Sequence, residues 1–126
     1  MRSLGALDIL YTPFYRADLA AGRTTPESFK RDLAYFWWQW GSVDNYWGQP
    51  VALGGTKADG TTEYNEVSDL ILDVHDELAL PTPKMLVKIA TNTPDRVFDR
   101  MLGMAARNRS MTFDGEEAIA RSLKSW

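Results

Sequence analysis

The chain has 126 residues, 44% of them hydrophobic and 25% charged, the balance of one ordinary globular domain with enough apolar surface for a core. Fourteen basic residues against seventeen acidic ones give a net charge of -3, which argues against a nucleic-acid partner, since phosphate binding shows as a basic excess. There is no cysteine, which excludes disulfides, thiolate metal sites and cysteine nucleophiles within the chain, and the single histidine, His75, makes a histidine-rich metal site untenable.

The first third reads as helical. Leu7, Leu10, Tyr11, Phe14, Tyr15 and Leu19 fall near helical spacing in the stretch that opens Gly5-Ala6-Leu7-Asp8. Pro13 is expected to kink or divide this helix, and Gly22 to stop it. Thr25-Pro26-Glu27 then has the form of a helix start: a hydroxyl cap, a proline in the first turn and an early acid. The helix it opens runs to about Trp40 and carries Phe29, Leu33, Phe36, Trp37 and Trp40 on one face, so the aromatic run there reads as core.

From Gln49 the rhythm changes. Val51-Ala52-Leu53 closed by Gly54 and Gly55 predicts a strand. A helix is expected from Glu63 to Leu80, with Tyr64, Val67, Leu70, Ile71, Val74 and Leu78 inward and His75 half-buried on its flank. Asp69, Asp73, Asp76 and Glu77 on that helix read as a solvated acidic face, and Pro81 and Pro83 terminate it. A second strand covers Lys84 to Ala90, and Thr93-Pro94-Asp95 repeats the cap-proline-acid signal before a helix to about Arg107. Ser110 to Phe113 form a short third strand, and Asp114-Gly115-Glu116-Glu117 has the spacing of a capping box for a last helix. The order is two helices followed by three β-α units, which implies parallel strands joined by right-handed crossovers. Three strands close poorly on themselves and leave edges to be covered, so the pattern is that of part of a larger sheet or barrel.

The glycine-rich turn between the first strand and its helix invites a phosphate-loop reading. Gly55 and Gly60 have the spacing, but Thr61-Thr62 stand where lysine and a hydroxyl residue are required. Gly54, Gly55 and Gly60 therefore read as turn-forming positions with left-handed backbone. No apolar run approaches a membrane span, and Met1 to Leu10 lack the apolar centre of a secretion signal, so a cytoplasmic protein is expected.

Taken in order, four segments resemble the glycyl radical enzymes of the pyruvate formate-lyase superfamily. They are Gly5 to Asp8 with Pro13 to Tyr15 and Asp18 to Gly22; the Gly54-Gly55, Asp59-Gly60 and Asn65-Glu66-Val67-Ser68 series; Leu80 to Pro94 with Lys88 where arginine is frequent; and Ser110 to Leu123 with Asp114-Gly115 in place of Asn-Asp. The resemblance implies a partial barrel domain over residues 1–126, helical over 1–47 and built of β-α units over 48–126, belonging to a ten-stranded α/β barrel around an active site. It places Trp47, Gly48 and Gln49 in the wall of a small-molecule substrate pocket, and gives Lys88 and Asn65 the role of holding strands and turns together. It further implies lyase or dehydratase chemistry, formate acetyltransferase-like in family and anaerobic, that depends on a glycyl radical installed by a radical S-adenosylmethionine activase and relayed through a cysteine. With no cysteine and no radical-glycine motif, this chain is expected to bind no cofactor, to hold no catalytic residue and to be an internal fragment. Self-association is expected from its uncovered edges. The competing expectation is a stand-alone, non-catalytic module that binds a partner or completes a split barrel.

Overall fold

A computed structural model describes residues 4–43 and 50–124. Among these the order is β1 (Gly5–Ala6), α1 (Leu7–Ala20), α2 (Pro26–Gly41), β2 (Val51–Gly54), α3 (Glu66–Leu78), β3 (Met85–Ile89), α4 (Asp95–Ala106), β4 (Met111–Gly115) and α5 (Glu116–Lys124). The two helices and the parallel β-α units of the sequence reading are present. The sheet has four strands in the order β1-β2-β3-β4, all parallel. The extra strand is Gly5-Ala6, which pairs with Val51 and Ala52. Two residues carry no periodicity of their own, and the helical pattern that starts at Leu7 absorbed them.

Strand alternation fixes where the core sits. Val51 and Leu53 in β2 and Met85 and Val87 in β3 are fully buried. They join Leu7, Leu33, Trp37, Val67, Ile71, Val74, Val97, Met101 and Met104 in one cluster. The alternate positions Ala52, Leu86, Lys88 and Asp114 are half-buried, and Thr112 is exposed. One face of the parallel sheet is thus packed and the other is open among the described residues.

Local chemistry explains the helix boundaries. Thr25 accepts from Ser28 N at 3.1 Å while Ser28 Oγ accepts from Thr25 N at 2.9 Å, a reciprocal cap with Pro26 in the first turn. Asn65 and Ser68 make the same arrangement at α3, which begins at Glu66 rather than Glu63 and leaves Tyr64 in the loop before it. At α4 the expected threonine cap is absent: Pro94 is the capping position, and Thr93 Oγ1 instead accepts from Ala90 N at 3.0 Å. The expected capping box at residues 114–117 is not a cap either, because Asp114 and Gly115 are the last residues of β4. Pro13 lies inside α1 without dividing it.

The inward face of α1 differs from its apolar pattern. Leu10, Phe14 and Leu19 are 55%, 66% and 41% exposed, whereas Leu7, Asp8, Thr12 and Tyr15 are buried. The buried stripe contains two polar residues, and a hydrophobic count cannot find it. The acids of α3 likewise do not form a merely solvated face. Asp69 pairs with Arg96, Asp73 with Arg100, Asp76 with Arg107 and Arg109, and Glu77 with Lys30. These cations come from α2, α4 and the segment after α4, so the acidic side of α3 is a seam between elements.

Candidate functional site

The carboxyl ends of parallel strands are where α/β sheets usually gather ligand-binding groups. Here Gly54, Lys88 and Asp114 stand side by side in register across β2, β3 and β4. Gly54 and Gly55 have φ values of +70° and +115°, and Gly60 in the following turn has +83°. Gly54 is also sterically obligatory: a Cβ there would lie 2.2 Å from Cζ of Tyr64. The Tyr64 ring covers the glycine and its hydroxyl donates to the carbonyl of Lys88 at 3.0 Å, tying the β2 turn to β3. Burial, with the nearby charges of Asp8 and Glu116, pushes the Tyr64 phenol well above its usual range.

Beneath this turn lies a polar cluster. The fully buried Asp8 carboxylate accepts from Gly54 N at 2.8 Å, from Ser68 Oγ at 2.8 Å and from Ile9 N at 2.9 Å. Burial raises its pKa above the ordinary carboxylate value and the three hydrogen bonds oppose that rise. Asn65 Oδ1 accepts from Thr12 Oγ1 at 2.9 Å besides capping α3. Asp8 and Thr12 thereby lock α1, the β2 turn and the α3 start into one unit. The Gly5-Ala6-Leu7-Asp8 stretch is part of the family resemblance, but nothing in it marks Asp8 as a buried acceptor joining three elements.

A cleft of about 340 Å³ opens beside the turn, lined by Lys88, Asp114, Glu116, Ile119, Ala120 and Leu123. Glu116 at the start of α5 accepts from Thr56 Oγ1 at 2.7 Å, and Glu117 accepts from Thr91 N at 2.9 Å, so α5 is held over the strand ends by two loops. Asn92 donates to Gly60 O at 2.9 Å and joins those loops to each other. A second cleft, of about 410 Å³, sits at the amino ends of β3 and β4 around Lys84, Asn108 and Arg109, whose guanidinium is bound to Asp76.

Trp47, Gly48 and Gln49 lie outside the described residues. They precede β2 in the chain, whereas Gly54 is its last residue and Gly55 follows it. His75 is fully buried rather than half-buried. Its Nδ1 accepts from Trp37 Nε1 at 3.3 Å and its Nε2 lies 3.2 Å from Ser110 O, contacts that define a neutral ring with the proton on Nε2. Burial is the main cause holding its pKa below the usual imidazole value. It is a core residue away from the cleft. Among the described residues no cluster of three or more His, Cys, Asp or Glu side chains is placed to hold a metal ion, and no helix is long and apolar enough to cross a membrane.

A parallel β-α sheet with its polar side chains collected at the strand carboxyl ends is the architecture of an α/β barrel segment, and the comparisons agree. Residues 1–125 match the family described as pyruvate formate lyase-like, and the chain belongs to that family. A trans-4-hydroxy-L-proline dehydratase from Clostridioides difficile is 35% identical over 74 residues, which is 58% of this chain and 9% of the dehydratase. Among solved structures, a glycyl radical enzyme from Archaeoglobus fulgidus superposes with a TM-score of 0.87 over 98% of this chain at 24% identity. The Clostridioides difficile hydroxyproline dehydratase with its substrate bound gives 0.73 over 81% at 28% identity. A structure describing 1,2-propanediol dehydration in Roseburia inulinivorans gives 0.73 over 81% at 19%. The chain spans only 18%, 15% and 14% of these three proteins.

Proposed function

We propose that this chain is a segment of a glycyl radical lyase or dehydratase, that it contributes barrel strands and part of a pocket wall, and that it has no turnover alone. The observation that carries the reading is the one-sided sheet. Parallel sheets are covered on both faces in complete folds. Here Val51, Leu53, Met85 and Val87 are sealed while Lys88, Asp114 and Thr112 on the opposite face are not. In the proposed whole enzyme that open face turns toward the barrel interior, where a small hydroxylated substrate of the kind named for the relatives would sit in a cytoplasmic, anaerobic reaction. Trp47, Gly48 and Gln49 would wall the pocket, and Gly54, Gly55 and Gly60 would shape the turn above it.

The family radical does not fit the residues of this chain. A thiyl relay needs a thiol, and there is no cysteine. The chain's own part is exclusion of water and positioning of substrate. The test is anaerobic incubation with a radical S-adenosylmethionine activase, followed by electron paramagnetic resonance and product analysis on pyruvate, glycerol and choline. No glycine-centred doublet and no product are expected; either one on this chain overturns the reading. The unpaired outer edge of β4 among the described residues favours a second reading, a module that completes a split barrel in trans. Co-purification of a cysteine-bearing companion would support it, and a monomer without partner in pull-downs would exclude it.

A further inference from the structure

We infer that His75 is an acid-operated latch on the C-terminal half of α2: when the ring takes up a proton it releases Trp37 and keeps its hold on Ser110. Trp37 and His75 are both fully buried, with ring centroids 6.3 Å apart and ring planes at 74°. The Trp37 indole can only donate, so its 3.3 Å contact requires a bare nitrogen at His75 Nδ1. The ring proton then sits on Nε2 and is donated to Ser110 O at 3.2 Å. That carbonyl also accepts from Met85 N at 2.9 Å, beside the start of β4. One neutral imidazole on α3 thus ties α2 to the sheet. A proton added at Nδ1 sets two N–H groups against each other on the α2 side. On the Ser110 side it strengthens the bond, because the donor becomes charged.

The charges around the ring do not rescue the Trp37 contact. Asp76, the next residue of α3, favours a charged ring, but Arg109 Nε donates to one of its oxygens at 2.8 Å and Arg107 to the other at 2.6 Å. Both guanidiniums come from the segment after α4, and Arg109 itself opposes a charge on the ring, while α2 offers the ring an uncharged indole. The two halves of α2 are held differently. In the N-terminal half Lys30 pairs with Glu77 at 2.5 Å and with Asp73 at 3.6 Å, an attachment that does not use the imidazole. In the C-terminal half Trp37 is the buried residue, and His75 is its polar tie. The buried Nε1 of Trp40, in the same half, has no hydrogen-bond partner among the described residues. An unpaired buried N–H gains a water partner when that half opens, which lowers the cost of opening it.

The experiment is NMR of the 126-residue chain from about pH 7.5 to about pH 5, the range that spans imidazole titration, with hydrogen exchange measured at each pH and corrected for its intrinsic rate. His75 is the single histidine, so its ring signals report its protonation without ambiguity. As the ring charges, the Trp37 indole N–H and the amides of Trp38 to Gly41 should exchange up to about tenfold faster per pH unit. The amides of Lys30 to Leu33 and of Met85 should keep their protection. Trp37→Phe removes the donor that favours the neutral ring and should raise the His75 midpoint by about one pH unit, the worth of one hydrogen bond. His75→Gln keeps an acceptor for Trp37 but does not titrate, and should hold the protection of α2 constant across the range. If either variant fails to fold, the comparison of Trp38 to Gly41 with Met85 in the unaltered chain decides alone. Equal loss of protection at Met85, a Trp37 signal indifferent to His75 protonation, a midpoint that Trp37→Phe leaves in place, or a ring still neutral at the acid end overturns the inference.

Discussion

Asp8 is the residue on which three elements converge, and its burial has a measurable sign. Its folded pKa is raised above 3.8, chiefly by desolvation, so its contribution favours the folded state below that value and is lost as pH rises through the folded pKa. Asp8→Ala removes the acceptor for Gly54 N and Ser68 Oγ and should cost about 1–3 kcal/mol for each buried donor left unpaired, read from urea denaturation. His75 works in the opposite direction. Its folded pKa lies below 6.5, so its stability contribution is present above that value and is lost as pH falls. Denaturation midpoints should therefore drop between about pH 7 and pH 5.5, the range in which imidazole titrates, and His75→Phe should flatten that dependence. An unchanged slope would mean that His75 titrates alike in both states. At Gly54 the backbone and the Tyr64 ring both refuse a side chain, and Gly54→Ala should cost about 3 kcal/mol or more, with thermal melting as the measure.

At the scale of elements, α3 is the keystone. Its inward face is buried from Val67 to His75, its acidic side is paired to α2, α4 and the segment after α4, and its start is held by Asn65. Asn65→Ala should destabilise the chain by about 1–2 kcal/mol, the usual worth of a side-chain cap, and should leave the Thr12 hydroxyl with the Asp8 carbonyl as its acceptor. The paired acids are exposed or half-exposed, so high salt should change the melting temperature only slightly. By contrast α5 has no buried residue and is held at its start by Glu116 and Glu117. Amide exchange in α5 should be much faster than in α3.

For the molecule as a whole, the sheet face and edges left open among the described residues outweigh any single contact. Phe113 on the outermost strand is 41% exposed, and Leu10, Phe14, Tyr35 and Trp38 present further apolar surface. A lone chain of this kind should oligomerise or bind a hydrophobic dye. Sedimentation and dye fluorescence provide the check. A sharp two-state melt of a monomer without dye binding would show that these 126 residues close their own core and would remove the main physical support for the segment reading.

Much of this architecture is local, and local physics is written in the sequence. Thr25 and Asn65 cap because their side chains reach backbone three residues away, and the strand at Val51 is legible because apolar residues stop at paired glycines. The family resemblance was carried by the same ordered punctuation. What only the tertiary structure decided depends on partners far along the chain. Gly5 and Ala6 are a strand because Val51 and Ala52 lie beside them. Asp8 is buried because Gly54 and Ser68 supply its hydrogen bonds, 46 and 60 residues away. The acids of α3 form a seam because arginines from another helix reach them. Lys88 and Asp114 share a cleft because of the register of two strands, and periodicity states which residues turn inward but not which of them meet.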